Sequence, residues 1–387
     1  MKIQNRSGAF TLVEVLVAAG IIVVIMVVLL QMTDQTQRLV KATSSKVEQF
    51  QDARVAFESL TRRLAQATLN SFWDYTYSPN GTPNGYARKA ELRFHSGQMS
   101  ALVGNNATQW PGHGVFFQAP LGMVETTGDV ATQKNLPDLG AMDHLMNSWG
   151  YFVEIGTDAS QYPGFLATTV TPRKRYRLME FMEPSEKMSV YRFQSDINNR
   201  LWFSQAIDIS RANRPVRVLA ENVVALILLP RLSVADEKRL PANSPALAPN
   251  YNYDSTITPP ASTNPATANT LAATLLNSYN QLPPVVQVIM VAIDEPSARR
   301  LEDLYGPASS NPDPYMKIGT NPEPRTNRTL FTDPKQLNDT ANGTAGDLTR
   351  LQELLSSSAN PNIRASYRVF STNVTIKGSK WSLHTAN

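Results

Sequence analysis

The sequence predicts an α+β protein, in which one long N-terminal helix, transmembrane in its first half, leads into a mainly antiparallel β-sheet head with long loop insertions. Three observations predict it. Phe10 to Leu30 is an apolar run of about twenty residues broken by a single charge, Glu14, and a helix of that length spans the roughly 30 Å hydrocarbon core of a bilayer. From Val47 to Ala67 apolar residues recur every three or four positions, which is one stripe on a helix. Beyond them the apolar segments are short and rich in β-branched and aromatic residues, without the long crossover helices of a doubly wound sheet.

Nine residues, MKIQNRSGA, precede the apolar run, and they carry Lys2 and Arg6. A short basic leader keeps its own end in the cytoplasm and sends the following segment outward. A secretory signal peptide has a similar outline, but this run is long for one, and the small residues Gly8 and Ala9 lie before it rather than after it. A plain membrane anchor leaves Glu14 unexplained. A carboxylate in hydrocarbon costs several kcal/mol unless it is partnered, so an intramembrane charge points to function. The bland alternative is a side chain that snorkels to the nearby interface.

Ala9-Phe10-Thr11-Leu12-Val13-Glu14, followed by the apolar run, resembles the amino terminus of the type IV pilin and type II secretion pseudopilin superfamily. The motif covers about a tenth of the chain and is specific. In that superfamily a prepilin peptidase cuts on the cytoplasmic side just before the Phe, and the new amino terminus is methylated. The Glu, fifth in the mature chain, pairs with the terminal amine of a neighbouring subunit. The resemblance therefore implies a leader of residues 1–9, cleavage between Ala9 and Phe10, N-methylation of Phe10, and Glu14 as the assembly carboxylate. Ala9 departs from the usual Gly. A cut after Gly8 would make Glu14 sixth, so the spacing from Phe10 sets the expected site.

The helix continues past the membrane. Residues 10–30 form its transmembrane half and 31–70 its amphipathic half, whose stripe is Val47, Phe50, Ala53, Phe57, Leu60, Leu64 and Ala67. Lys46, Glu48, Gln51, Asp52, Glu58, Arg62 and Arg63 occupy the other faces. No Pro or Gly interrupts residues 21–69, so one helix from Phe10 to about Leu69 would be roughly 90 Å long. Sustained heptads are too few for a coiled coil.

Residues 71–387 form the expected pilin-like head. SPNGTPNG at Ser78–Gly85 is turn chemistry. Strands are expected at Lys89–Phe94, Val115–Gln118, Tyr151–Ile155, Arg175–Phe181, Ser189–Phe193, Asn222–Leu229, Val285–Ile293 and Tyr367–Ile376, with NVVALILL and VVQVIMVAI reading as buried ones. Short helices are expected at Ala141–Trp149 and Asp347–Leu355. Residues 235–284 are rich in Pro, Asn, Ala and Thr, and Asp254 is the only charge between Pro241 and Pro284. That composition predicts an insertion that buries little, ordered at its edges or disordered, with a short helix at Thr270–Tyr279. Pro307–Gly346 is also polar.

Two further segments, LAENVVALILLPRL at Leu219–Leu232 and LPPVVQVIMVAIDE at Leu282–Glu295, look like the late strand pair of the minor pseudopilin called J. With RLMEFMEPSE at Arg177–Glu186 and YRVFSTNVTIKGSKW at Tyr367–Trp381, the chain looks closer still to the pseudopilin-like family Verru_Chthon cassette protein C. That second resemblance covers most of the chain. The biochemical role of that family is not established.

Little in the sequence suggests catalysis. The net charge is +4, from 36 basic and 32 acidic residues, too mild to demand nucleic acid. There is no Cys, hence no disulfide, thiol nucleophile or Cys-based metal site. His95, His113, His144 and His384 stand apart from one another and outside metal spacings. Gly112-His113-Gly114 reads as a turn. Asn338, Asp339, Asn342, Gly343 and Asp347 come nearest to a calcium loop but lack the alternating acids and closing Glu of an EF-hand. Some pseudopilins bind calcium in late loops, so the resemblance leaves that one cofactor open. TPRKRYR, with Arg173, Lys174, Arg175 and Arg177 around Tyr176, is the strongest basic cluster. It reads either as a patch for DNA, as in competence-type pilins, or as a strand entry with solvated charges.

The function expected on these grounds is non-enzymatic. It is that of a minor pseudopilin-like subunit, single-pass in the inner membrane with a cytoplasmic N-terminus and a periplasmic head, assembled into a type II secretion or type IV pilus-like filament or its tip. Prepilin peptidase, other pseudopilins and secreted cargo would be its partners. The alternative is a minor pilin that binds DNA or a surface ligand through the basic face.

Overall fold

The structure, a computed structural model, describes residues 12–104, 109–122, 144–157, 163, 165, 169–170, 172–193, 200–211, 213–240, 246–257, 276, 278–305, 329–338, 343–356 and 364–381, without the side chains of 39, 41–49, 304 and 305. The chain divides into two compact units, Met1–Gln51 and Asp52–Asn387. The fold class is α+β, with one long helix and antiparallel sheets.

Helix α1 runs from Leu12 to Leu64. Within the second unit its stripe is buried as the periodicity predicts: Ala53, Phe57, Leu60 and Leu64 are each less than a tenth exposed, joined by Ala56. The opposite side carries the exposed i,i+4 pair Arg54–Glu58 at 2.8 Å. The helix stops five residues short of the expected end because its hydrogen bonding tightens. Gln66 N donates to Arg63 O and Ala67 N to Leu64 O, three residues back, and Asn70 adopts a left-handed φ of 48°. Lys377 N donates to Ala65 O at 2.9 Å, satisfying a carbonyl at the helix end. Gly378 makes that approach possible, since a Cβ there would meet Ala67 O at 2.6 Å.

Strands β1 (Phe72–Tyr77) and β2 (Pro83–Lys89) form a hairpin by themselves. Its turn is the predicted one, closed by Ser78 N to Thr82 O at 2.8 Å, with Gly81 at φ 81°. A six-stranded antiparallel sheet follows, built from β3 (His95–Gln98), β4 (His113–Pro120), β5 (Met146–Thr157), β6 (Lys174–Glu183), β7 (Val216–Glu221) and β9 (Tyr253–Asp254). Its order is β7-β6-β5-β4-β3-β9. Strands β8 (Val223–Arg231), β10 (Val285–Ile293) and β11 (Tyr367–Thr375) form a second antiparallel sheet in the order β11-β10-β8. The chain changes sheet in one residue, Asn222, which takes a left-handed φ of 59° and accepts Ile293 N–H at 3.0 Å.

Strand β8 lies against the six-stranded sheet, and all its residues but Arg231 are buried, as a continuous aliphatic run requires. The core centres on Phe116, whose ring stacks on Phe203 at 4.0 Å and meets Phe152 and Phe181 at 6.0 Å. Gly150 leaves room for it, because a Cβ there would lie 2.4 Å from Phe116 Cδ1. Three short helices, α2 (Met99–Val103), α3 (Leu201–Ser204) and α4 (Val234–Glu237), and two longer ones, α5 (Glu295–Tyr305) and α6 (Asp347–Leu355), complete the described α-helices.

Several expectations are corrected. Of the strand expected at Lys89–Phe94, only Lys89, the last residue of β2, is strand; the alternation beyond it encodes burial of Leu92 and Phe94, while Arg93 N–H is taken by the Gln118 side chain at 2.8 Å instead of by a ladder. Met146–Trp149 is strand, not helix, because Asn147 and Ser148 pair with β4 on one side and Ser148 and Trp149 pair with β6 on the other. Ser189–Tyr191 is a 3-10 turn, fixed by the Ser189 hydroxyl bonding Glu183 and Trp202 O at 2.8 Å. Part of the 235–284 insertion enters the core. Leu247, Ala248, Tyr251 and Tyr253 are buried, and β9 adds an edge strand. The expected helix at Thr270–Tyr279 falls largely outside the described residues.

Candidate functional site

The first unit offers an apolar helical surface. Residues Leu12–Arg38 are long and apolar enough to cross a membrane, and none of that span is buried. Two hydroxyls in the span are accommodated within the helix. Thr33 Oγ1 donates to Leu29 O at 2.8 Å and Thr36 Oγ1 to Met32 O at 2.7 Å, so neither hydroxyl needs water. The exposed Asp34–Arg38 pair at 2.9 Å, at i and i+4, marks the end of the apolar stretch. Glu14 stands in the first turn of α1, where the helix dipole favours a negative charge. Ala9 and Phe10, the expected cleavage and methylation residues, lie outside the described residues.

In the second unit α1 ends in a polar contact that the helical stripe alone did not place. Arg63, expected on a solvent face, turns inward. Its guanidinium lies 4.4 Å from the Trp149 ring centroid, bonds Tyr151 Oη at 3.2 Å and pairs with Glu180. Glu180 is fully buried and also accepts from Tyr151 Oη at 3.1 Å and from Arg217. Burial, followed by the Glu180 charge, pushes the Tyr151 phenol above its ordinary pKa, so its proton stays in place as the donor. An acid inside the apolar strand RLMEFME was the readable signal; its partner 117 positions away was not.

The basic cluster is corrected. Arg175 is 3% exposed and pairs with Glu295 at 2.9 Å and with Glu302. Arg177 is 6% exposed, bonds Thr157 O at 3.2 Å and lies 3.7 Å from Glu221. Arg173 reaches Glu295 at 3.6 Å, and Lys174 is exposed. Glu295 also accepts from Asn222 Nδ2 at 3.0 Å. The cluster therefore ties β6 to α5 and the sheet-changing turn, and two of its four cations are unavailable to phosphates.

His113 is a core residue. Its Nδ1 accepts from Leu228 N–H at 3.1 Å, which leaves Nε2–H to donate to Phe331 O at 3.1 Å. Burial holds it well below the usual histidine range, at about 4, so it is a neutral strut between β4 and β8. His95 is also buried, 3.4 Å from Asp254, while His144 is exposed and His384 lies outside the described residues. In the calcium-loop candidate, Asp347 is fully buried and accepts Phe331 N–H at 2.7 Å, while Asp339 and Asn342 lie outside the described residues. Among the described residues no group of three or more His, Asp or Glu is arranged to hold a metal.

Compared with family models, curated proteins and solved structures, the chain finds no match in any of the three.

Proposed function

We propose that this chain is a minor pseudopilin-like structural subunit. It is held in the inner membrane by the first half of α1, with residues 52–387 outside the cytoplasm, and assembles through that helix into a type II secretion or type IV pilus-like filament or its tip. The observation that carries the reading is the uncovered apolar surface of Leu12–Arg38 with a carboxylate in its first turn. Lipid or neighbouring helices must cover such a surface. In the superfamily that the amino terminus resembles, a carboxylate at this spacing pairs with the methylated terminal amine of a neighbouring subunit, and Glu14 stands at that spacing from Phe10. The second unit contributes a packed body and a firm seat for the end of α1, with no residue assigned to catalysis. The DNA-binding alternative loses support, because Arg175 and Arg177 are spent on internal contacts.

Mass spectrometry of the protein from native membranes tests this reading. The expected amino terminus is Phe10, N-methylated. An intact Met1, or a cut beyond the apolar run, would contradict it.

A further inference from the structure

The β1–β2 hairpin gathers five exposed aromatic side chains, Phe72, Trp73, Tyr75, Tyr77 and Tyr86, each between 45% and 64% exposed. Strand alternation puts Trp73, Tyr75 and Tyr77 on one face, and the register adds Arg88 opposite Trp73 and Tyr86 opposite Tyr75. The rings hold one another in place. The Arg88 guanidinium lies 5.2 Å from the Trp73 ring, Tyr75 and Tyr86 are 4.7 Å apart, and Tyr75 and Tyr77 are 6.4 Å apart. Asn280 Nδ2 donates to Arg88 O at 2.7 Å and fixes the hairpin to the rest of its unit.

An exposed aromatic face of this size marks an interaction surface. Its chemistry narrows the occupant. The two strands, FWDYTY and PNGYARK, contain no Leu, Ile, Val or Met, so the face offers flat rings and phenol hydroxyls without an aliphatic floor. Its charges are nearly balanced: Asp74 pairs with Lys89, and Arg88 is laid along Trp73. A polyanion such as nucleic acid would call for a surrounding excess of cations, which the hairpin lacks. A surface of rings whose one cation, Arg88, is laid along Trp73 suits an uncharged ligand that presents apolar C–H faces with hydroxyl edges.

We propose that this face binds a neutral polysaccharide. Pyranose rings stack on Trp73, on the Tyr75–Tyr86 pair and on Tyr77, and their hydroxyls meet the phenol groups and Arg88. Residues two apart on a strand are spaced by roughly 6.8 Å, so the aromatic rungs form a line suited to an extended sugar chain. The preset rings leave little side-chain freedom to lose on binding. The inference does not depend on filament assembly.

Isothermal titration calorimetry of the full chain in a sugar-free detergent, with cellohexaose, chitohexaose and maltohexaose as uncharged probes, tests it. At least one probe should bind, Trp73→Ala should weaken it about tenfold, and Trp73→Phe should recover part of the loss. The denaturation midpoint of Trp73→Ala should match the wild type, because the side chain is exposed. The proposal is overturned if none of the three probes binds, or if Trp73→Ala and Tyr75→Ala bind as tightly as the wild type. It is also overturned if a single-stranded oligonucleotide binds more tightly than every neutral sugar, or if Trp73→Ala disperses an oligomer that the sugars leave intact.

Discussion

Arg63, at the end of α1, and Glu180, in the middle of β6, form an ion pair inside the second unit, with the carboxylate fully buried. The pair joins the helix to the six-stranded sheet at a place where the apolar stripe gives way to polar contacts. Removing one partner of a buried pair leaves the other charge costly. Arg63→Met should therefore lower unfolding stability by about 3 kcal/mol. The cost stays at the lower end because Arg217 still faces Glu180. The double variant Arg63→Met, Glu180→Leu should recover most of the loss, since an apolar pair of similar volume removes the stranded charge. Denaturant titrations of the three proteins check this, and an Arg63→Met value within about 0.5 kcal/mol of wild type would remove the lock from the account.

His113 gives a pH signature. Its folded pKa is depressed to about 4, against an ordinary value of 6.5. Between those values the unfolded chain binds the proton more readily, so stability is fully present above about pH 6.5 and falls as pH drops toward 4. The contribution is about 3 kcal/mol across that window. The difference between wild type and His113→Gln, measured by denaturation at several pH values, isolates it from the carboxylates. A difference that does not change between pH 7 and pH 4.5 would show that the imidazole is not held neutral.

Tyr253 tests whether the charge-poor insertion belongs to the core. Its ring meets Phe94 edge-on at 5.8 Å and its hydroxyl donates to Gln281 O at 2.9 Å. Tyr253→Ala should cost about 3–5 kcal/mol, and Tyr253→Phe only about 1 kcal/mol for the lost hydrogen bond. Equal, small effects from both would mean that residues 246–257 can be replaced freely.

What the sequence disclosed follows from how each element encodes its burial. NVVALILL and VVQVIMVAI announce buried strands by their own content, and DLTRLQELL announces α6 by its period; all three are where they were expected. The stripe Ala53, Phe57, Leu60, Leu64 does the same for α1. The start of β5 was hidden because Asn147 and Ser148 look like loop residues, and only pairing with strands distant in sequence makes them interior. Tyr251 and Tyr253 were hidden by the Pro- and Asn-rich company they keep. At the N-terminus the apolar run was legible, while the inward turn of Arg63, Arg175 and Arg177 was not. A charge on a helix face or strand entry looks solvated until the matching carboxylate is placed in space.

Arg175 separates a structural knot from a nucleic-acid patch. Arg175→Ala would leave Glu295 and Glu302 without their buried guanidinium and should lower stability by about 2–3 kcal/mol. Lys174→Ala, at an exposed position, should change it by less than about 0.5 kcal/mol. Neither should alter retention on duplex DNA at low salt. Tight, salt-sensitive DNA binding lost in Lys174→Ala would restore the basic-face reading.

Glu14 bears on the central claim, that the first half of α1 assembles with partner helices and does more than anchor the chain. Insertion depends on hydrophobicity, whereas assembly, on the proposed reading, depends on a specific charge pair. Glu14→Leu makes the span wholly apolar and should reach the membrane at wild-type levels. The deciding measurement is crosslinking to partner pseudopilins, in native membranes, through cysteines placed along Phe10–Leu30. Loss of most crosslinks in Glu14→Leu, with cleavage and membrane levels unchanged, is the predicted result. Crosslinking equal to wild type would contradict it and leave Glu14 as a residue at the membrane interface.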